Sequence, residues 1–382
     1  MLPYMSAVLA GILGTTIASA HAADSAPFLQ GLKHQALLTS TVPDNGDQNP
    51  YAIVVAPASS GSIQKGDVLV DNFNNSQNLQ GTGTTIMDYS PTTQKTSIFA
   101  EIPRQLSQCP GGVGLSTAMT MLQSGWVIVG SVPSNDGTTA TKGQGCLIVL
   151  DSRGQVAEVF SNAEINGPWG NMAVIDHGGT ASIFISNSGF GLGAPTENSP
   201  VVAKATVLRI DLNIPEGPEG PEGPESKPPV IIAQTVIADS LSEQADASVF
   251  LIGPTGLALG ANDTLYVSDA INNRIVSIPQ ASTRTTSASS GHEITRNGLL
   301  QRPLALAMTP NGHLLATNGL NGQVVEIDPM TGQQLDSLWI DNDKAQAPPG
   351  SGDLFGIAMM PSGDGFYYVE DDMNTLMEAT HP

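Results

Sequence analysis

Apolar positions along the chain fall into short Val/Ile/Leu runs, each closed by Gly, Pro, Asn or Asp. Runs of that length, bounded that way, read as strands. They also come in sets. Six segments share one order: Pro or a substitute, any residue, a small residue, then an apolar run. They are Pro50-Tyr51-Ala52-Ile53-Val54, Ser116-Thr117-Ala118-Met119-Thr120, Pro168-Trp169-Gly170-Asn171-Met172, Pro254-Thr255-Gly256-Leu257-Ala258, Pro303-Leu304-Ala305-Leu306-Ala307 and Leu354-Phe355-Gly356-Ile357-Ala358. A turn and a second apolar run follow, as in Thr264-Leu265-Tyr266-Val267-Ser268-Asp269, and then a third, as in Arg274-Ile275-Val276-Ser277-Ile278. Fourth runs are weaker, for instance Val156-Ala157-Glu158-Val159-Phe160.

A unit of up to four short strands, repeated six times, predicts an all-β fold: a six-bladed β-propeller, in which radial repetition leaves only short, protected sheet edges. Small residues recur where inner strands crowd round a common centre. They fall at 52, 118, 170, 256, 305 and 356, with gaps of 66, 52, 86, 49 and 51. Propeller repeats run about 40–50 residues, so the two long gaps need insertions. Residues 215–228, built on a Gly-Pro-Glu period, read as an acidic, extended loop insertion between the third and fourth strands of blade three. Three triplets cannot sustain a collagen helix. The last blade lacks a fourth strand, whereas residues 36–42 form a strand with no blade of their own. The expectation is that this N-terminal strand completes the C-terminal blade and closes the ring.

The run from Pro254 through Asp269-Ala270-Ile271-Asn272-Asn273-Arg274-Ile275 resembles an NHL repeat nearly residue for residue, and the other five segments resemble degenerate copies. The resemblance covers roughly residues 36–380. It implies the propeller fold and leaves function open, since such propellers serve as enzymes, binding modules and scaffolds. More distantly, the pattern is similar to gluconolactonase-like six-bladed propellers. That family holds a divalent cation with a Glu, Asn and Asp set at the channel mouth. Here Asn49-Pro50-Tyr51 enters blade one where that family would supply the Glu.

Composition sharpens the class. Charged residues make up only 13% of the chain, with 41 Gly and 27 Pro, which suits β structure. With 35 acidic against 14 basic residues the formal charge is −21. That charge argues against nucleic acid or an anionic membrane surface as partner. Residues 1–22 read as a signal peptide: a short apolar centre at Val8 to Leu13, then Ala18-Ser19-Ala20 and Ala20-His21-Ala22 as small-x-small cleavage patterns. No Lys or Arg precedes that centre. Residues 23–382 then form a single exported propeller domain, periplasmic or extracellular, monomeric and not inserted in a membrane. Two cysteines, Cys109 and Cys146, either pair across a second-repeat loop or stand apart as a loop thiol and a buried strand residue.

Loops on a rigid scaffold are where binding residues gather. Loops entering the inner strands carry Tyr51, Trp169 and Phe355. Loops joining second to third strands carry Asn72, Asn187, Asp269, Asn318 and Asp371. Around one opening, these eight residues would suit a small polar ligand or a protein partner. The same Asn and Asp residues also read as turn locks that cap their own backbone. Asp269, Asn187 and Asp371 offer hard oxygens for calcium, but nothing fixes their mutual spacing, and no cofactor is expected. Asp44-Asn45-Gly46-Asp47-Gln48-Asn49 reads as a polar turn, since it lacks the alternation and terminal Glu of an EF-hand loop. His177 and His313 precede second strands, on the opposite face. Neither a nucleophile elbow nor a phosphate loop occurs. The expected function is a non-catalytic ligand- or protein-binding propeller, and the alternative is a metal-dependent hydrolase or lyase of the lactonase-like class. Three or more acidic or amide oxygens converging on one point would favour the enzyme. A channel plugged by apolar side chains would favour the module.

Overall fold

The computed structural model describes residues 26–189, 191–215, 227–341 and 343–382. Its strands form six antiparallel sheets, and the fold is a six-bladed β-propeller. Inner strands Gln48–Val55, Leu115–Met121, Ala173–Asp176, Pro254–Gly260, Pro303–Met308 and Leu354–Met359 begin the six blades in chain order. The ring closes as expected. His34–Ser40, two residues earlier than the predicted 36–42, pairs antiparallel with Thr375–Thr380 as the outer strand of blade six. No helix among the described residues is long and apolar enough to cross a membrane.

Blade three departs from four strands. Val202–Asn213 pairs with the 17-residue strand Val230–Asp246, and Phe250–Ile252 adds a fifth. Much of the 86-residue gap is therefore a long two-stranded arm. The insertion at 215–228 falls between its strands, but 216–226 lie outside the described residues, as does the segment 1–22 expected to be a signal peptide.

Clusters of buried side chains hold the ring together: five sit between neighbouring blades, and a sixth, built round Tyr51, Trp169 and Phe355, draws residues from all six blades. Leu147 and Ile183, for example, meet between blades two and three, and Leu265 and Phe184 between three and four. Middle strands are sandwiched on both faces, which is why Cys146–Leu150 is buried at every residue and shows no alternation.

The small residues of the repeat answer to the next blade rather than to the axis. A Cβ on Gly356 would stand 2.6 Å from the Tyr51 carbonyl oxygen, and one on Gly170 or Gly256 would lie closer still to the Thr255 or Leu304 carbonyl. A hydroxyl relay uses the same approach. The Gly256 amide donates to Ser268 Oγ at 2.6 Å, and that hydroxyl donates to the Leu304 carbonyl of blade five. Ser186 links Gly170 to Pro254, and Thr317 links Ala305 to Phe355, in the same way. In blade two the relay position is Gly130, and Ser116 supplies the hydroxyl to the Pro168 carbonyl instead.

Cys109 and Cys146 are joined in a disulfide spanning 37 residues. At the other end of the ring, Phe28–Gly31 forms a short 3-10 turn packed between blades five and six. Its Phe28 and Leu29 amides donate to the buried Glu326 carboxylate, which also takes His313 Nδ1 at 2.6 Å. His313 is thus part of the frame, and His177 closes a turn through its backbone with Thr180.

Candidate functional site

The loops entering inner strands and those joining second to third strands share one face of the ring. At its centre gather the residues before five of the six small positions, Tyr51, Trp169, Thr255, Leu304 and Phe355, while the sixth, Thr117, donates its hydroxyl to the Trp169 carbonyl. Three of these are the predicted Tyr51, Trp169 and Phe355, and the structure brings them together. Tyr51 stacks on Phe355 at 3.9 Å and on Phe73 at 4.5 Å, and Trp169 meets Tyr51 edge-on at 6.1 Å. Phe250, from the fifth strand of blade three, packs against Phe73 and Trp169. All five rings are buried. They seal the mouth rather than ring an opening. The Tyr51 hydroxyl is held well above the usual phenol range by burial and then by the nearby Asp371.

Against this layer lies a hollow lined by Trp169, Leu251, Ile252, Arg302, Leu304, Gly352 and Phe355, with about 10 Å³ free, the room of one water. Further along the inner strands the channel widens to about 310 Å³, walled by side chains such as Met119, Met172, Leu306 and Ile357.

The predicted amides and Asp269 are spread round the face as locks of its turns. Asn72 donates to the Thr41 carbonyl at 2.9 Å and to Thr85 Oγ1. Asn187 Oδ1 accepts from the Gly167 amide. Asn318 donates to the Leu299 carbonyl and accepts from the Gln301 amide. Asp269 takes Arg274 Nε at 2.8 Å and both of its oxygens take Asn272 Nδ2, so its charge is matched inside the blade. Asp269, Asn187 and Asp371 come from blades four, three and six, and the first two are committed to these bonds. The 44–49 stretch is a polar turn whose Asp47 accepts from the Thr84 amide.

Asp371 lies in different company. The link from blade five to blade six and the second turn of blade six together present Asp341, Asp353, Glu370, Asp371 and Asp372. Asp341, Glu370 and Asp372 each place an oxygen within 4.8 Å of the others, in a set able to hold a metal ion. Burial pushes Asp353 up to about 8, helped by Asp341 and Asp372 alongside, and Glu370 up to about 7, helped by Asp341. Asp371 is raised well above the carboxylate range by burial, then by Asp353 and Asp372. Crowded like charges taken out of water raise one another in this way. Sequence reading singled out Asp371 alone and missed Asp341, Asp353, Glu370, Arg302 and Phe250. The density of acids between 341 and 372 was the available signal.

No family model matches the chain, and no curated protein matches its sequence. Solved structures do match. A gluconolactonase from Xanthomonas campestris aligns over 94% of this chain and 96% of its own, at 12% identity and a TM-score of 0.53. A luciferin-regenerating enzyme aligns over 91% and 95%, at 12% identity and a TM-score of 0.52. Regucalcin, a calcium-binding protein from Agrobacterium tumefaciens, aligns over 90% and 94%, at 10% identity and a TM-score of 0.50. Likeness at these identities is one of fold: the chain is built as gluconolactonase-type propellers are.

Proposed function

We propose that the chain is a metal-dependent hydrolase or lyase of the lactonase-like propeller class, acting at the loop-rich face on a small ligand with an apolar body. The observation that carries this is the convergence of Asp341, Glu370 and Asp372 on one point. They stand on the face that bears the aromatic-floored hollow, and Gly352 and Phe355, next to Asp353, line that hollow. The donors are carboxylate oxygens, the chemistry that suits a hard divalent cation. Such a cation, when bound, polarises an ester carbonyl. The chain's own contribution is an apolar wall of Trp169, Leu304 and Phe355 that excludes water, with Arg302 at the rim for a polar or anionic group. The gluconolactonase fold supports this reading. We further take the protein as exported, on its leader-like 1–22, and as a monomer.

One observation favours the second reading, a non-catalytic binding module. The sealed mouth leaves room for one water, so a substrate must displace part of the aromatic layer. Metal analysis of the purified full chain, with a panel of cyclic esters assayed before and after chelation, separates the two. Stoichiometric metal and hydrolysis lost on chelation are expected. Tight ligand binding with no turnover of any cyclic ester would instead establish the module.

A further inference from the structure

Three buried side-chain oxygens without a hydrogen-bond donor fall on one short stretch: Asp341 Oδ2, Gln346 Oε1 and Asp353 Oδ2. Asp341 is 6% exposed and Asp353 4%. An acceptor buried without a partner costs on the order of 1–3 kcal/mol, and more when charged, so three together call for a missing positive group. Asp353 shares a side-chain hydrogen bond with Asp341 and is approached by the Gln346 amide as donor, and Asp341 in turn faces Glu370 and Asp372. Among the described residues no Lys or Arg pairs with any of these four carboxylates.

We infer that Asp341, Asp353, Glu370 and Asp372, with the Gln346 amide oxygen, form a site for one hard divalent cation of the calcium class. It ties the exit of blade five to blade six. This rests on the metal in the function proposed above and names where it sits and of which kind it is. Five oxygens, with no nitrogen or sulfur among them, match a cation that takes six to eight oxygen ligands. The exposed Asp372 leaves a path for entry. Between strands Gln334–Trp339 and Leu354–Met359, the stretch carrying Asp341, Gln346 and Asp353 runs through Gly352 and leads into Phe355, both walls of the hollow. Filling the site fixes that wall, so the cation governs the shape of the hollow as well as the charge beside it.

Terbium titrated into the full chain tests this, because Trp339 stands two residues from Asp341 and can sensitise its emission. A single terbium site per chain, displaced by calcium, is expected. Calcium should raise the Tm and slow proteolysis between residues 343 and 353. Asp341→Asn and Asp353→Asn should each weaken binding about tenfold or more, and Glu370→Gln gives the same reading if either fails to fold. No calcium-displaceable emission, or affinity unchanged in the variants, overturns the inference and leaves the carboxyls neutral through bound protons. Calcium bound here without hydrolysis of any cyclic ester sinks the enzyme and keeps the site. Hydrolysis by protein that binds no cation here sinks the site and keeps the enzyme.

Discussion

The Ala52 amide donates to Asp71 Oδ1 at 2.8 Å, placing a buried carboxyl where blades three, four and five carry the relay hydroxyls of Ser186, Ser268 and Thr317. Asp71 is fully buried, and its other oxygen has no partner. Burial raises its carboxyl well above the usual 3.8, against the pull of the Ala52 and Tyr51 amides. A neutral carboxyl keeps an O–H that can donate as the hydroxyls do. Because the folded state holds this proton after the unfolded chain has lost it, the contribution of Asp71 to stability is intact below about pH 4 and falls as pH rises. Asp71→Asn, which mimics the neutral acid, should match the native protein near pH 4 and exceed its Tm increasingly toward pH 8. Parallel melting curves that stay superimposed across that range would show that Asp71 is not held neutral.

The relay itself sets a second expectation. Ser268→Ala strands both the Gly256 amide and the Leu304 carbonyl, so a loss of roughly 1–3 kcal/mol is expected. Gly256→Ala drives a methyl into that carbonyl and should cost about as much through overpacking. Since both changes act on one seam, the double variant should cost less than the sum of the two. Additive losses in urea melts would mean that the two groups are independent.

Cys109 and Cys146 close a 37-residue loop. In the chain-entropy account, such a crosslink stabilises by roughly 3–4 kcal/mol. Cys146→Ser should lower stability by about that amount, and reductant should lower the native Tm without affecting the variant. A native Tm indifferent to reductant would show that the pair adds nothing.

Much of the architecture was legible because propeller repeats put local pattern and global position in register. The small residue at 170, 256 and 356 is demanded by a neighbour's carbonyl, and the unassigned strand near 36–42 had only one sheet left to join. The site was less legible. Asn72, Asn187 and Asn318 carry the residue types of a ligand shell and the bonds of turn locks, and composition cannot separate the two. Tyr51, Trp169 and Phe355 were found as a set, yet their sealing of the mouth depends on Phe73 and Phe250. Phe250 reaches the axis through a fifth strand that the repeat gives no reason to expect. Asp341 and Asp353 stand on a link between repeats, where the template is silent.

The aromatic seal gives the last prediction. Phe355 touches Tyr51 face to face and forms part of the wall of the hollow. Truncating it removes a buried ring between blades six and one, at a cost of about 3–5 kcal/mol. The space released adjoins the hollow, so Phe355→Ala should bind small aromatic or cyclic apolar molecules that the native chain excludes, as dry engineered cavities do. Trp169, part of the same wall, should report the binding by a change in fluorescence. Phe366→Ala is the control: Phe366 is buried in the core between blades five and six, outside the seal. It should destabilise comparably without opening the mouth. If Phe366→Ala gained the same ligands, looser packing in general would explain the binding, and the seal would not be what closes this face.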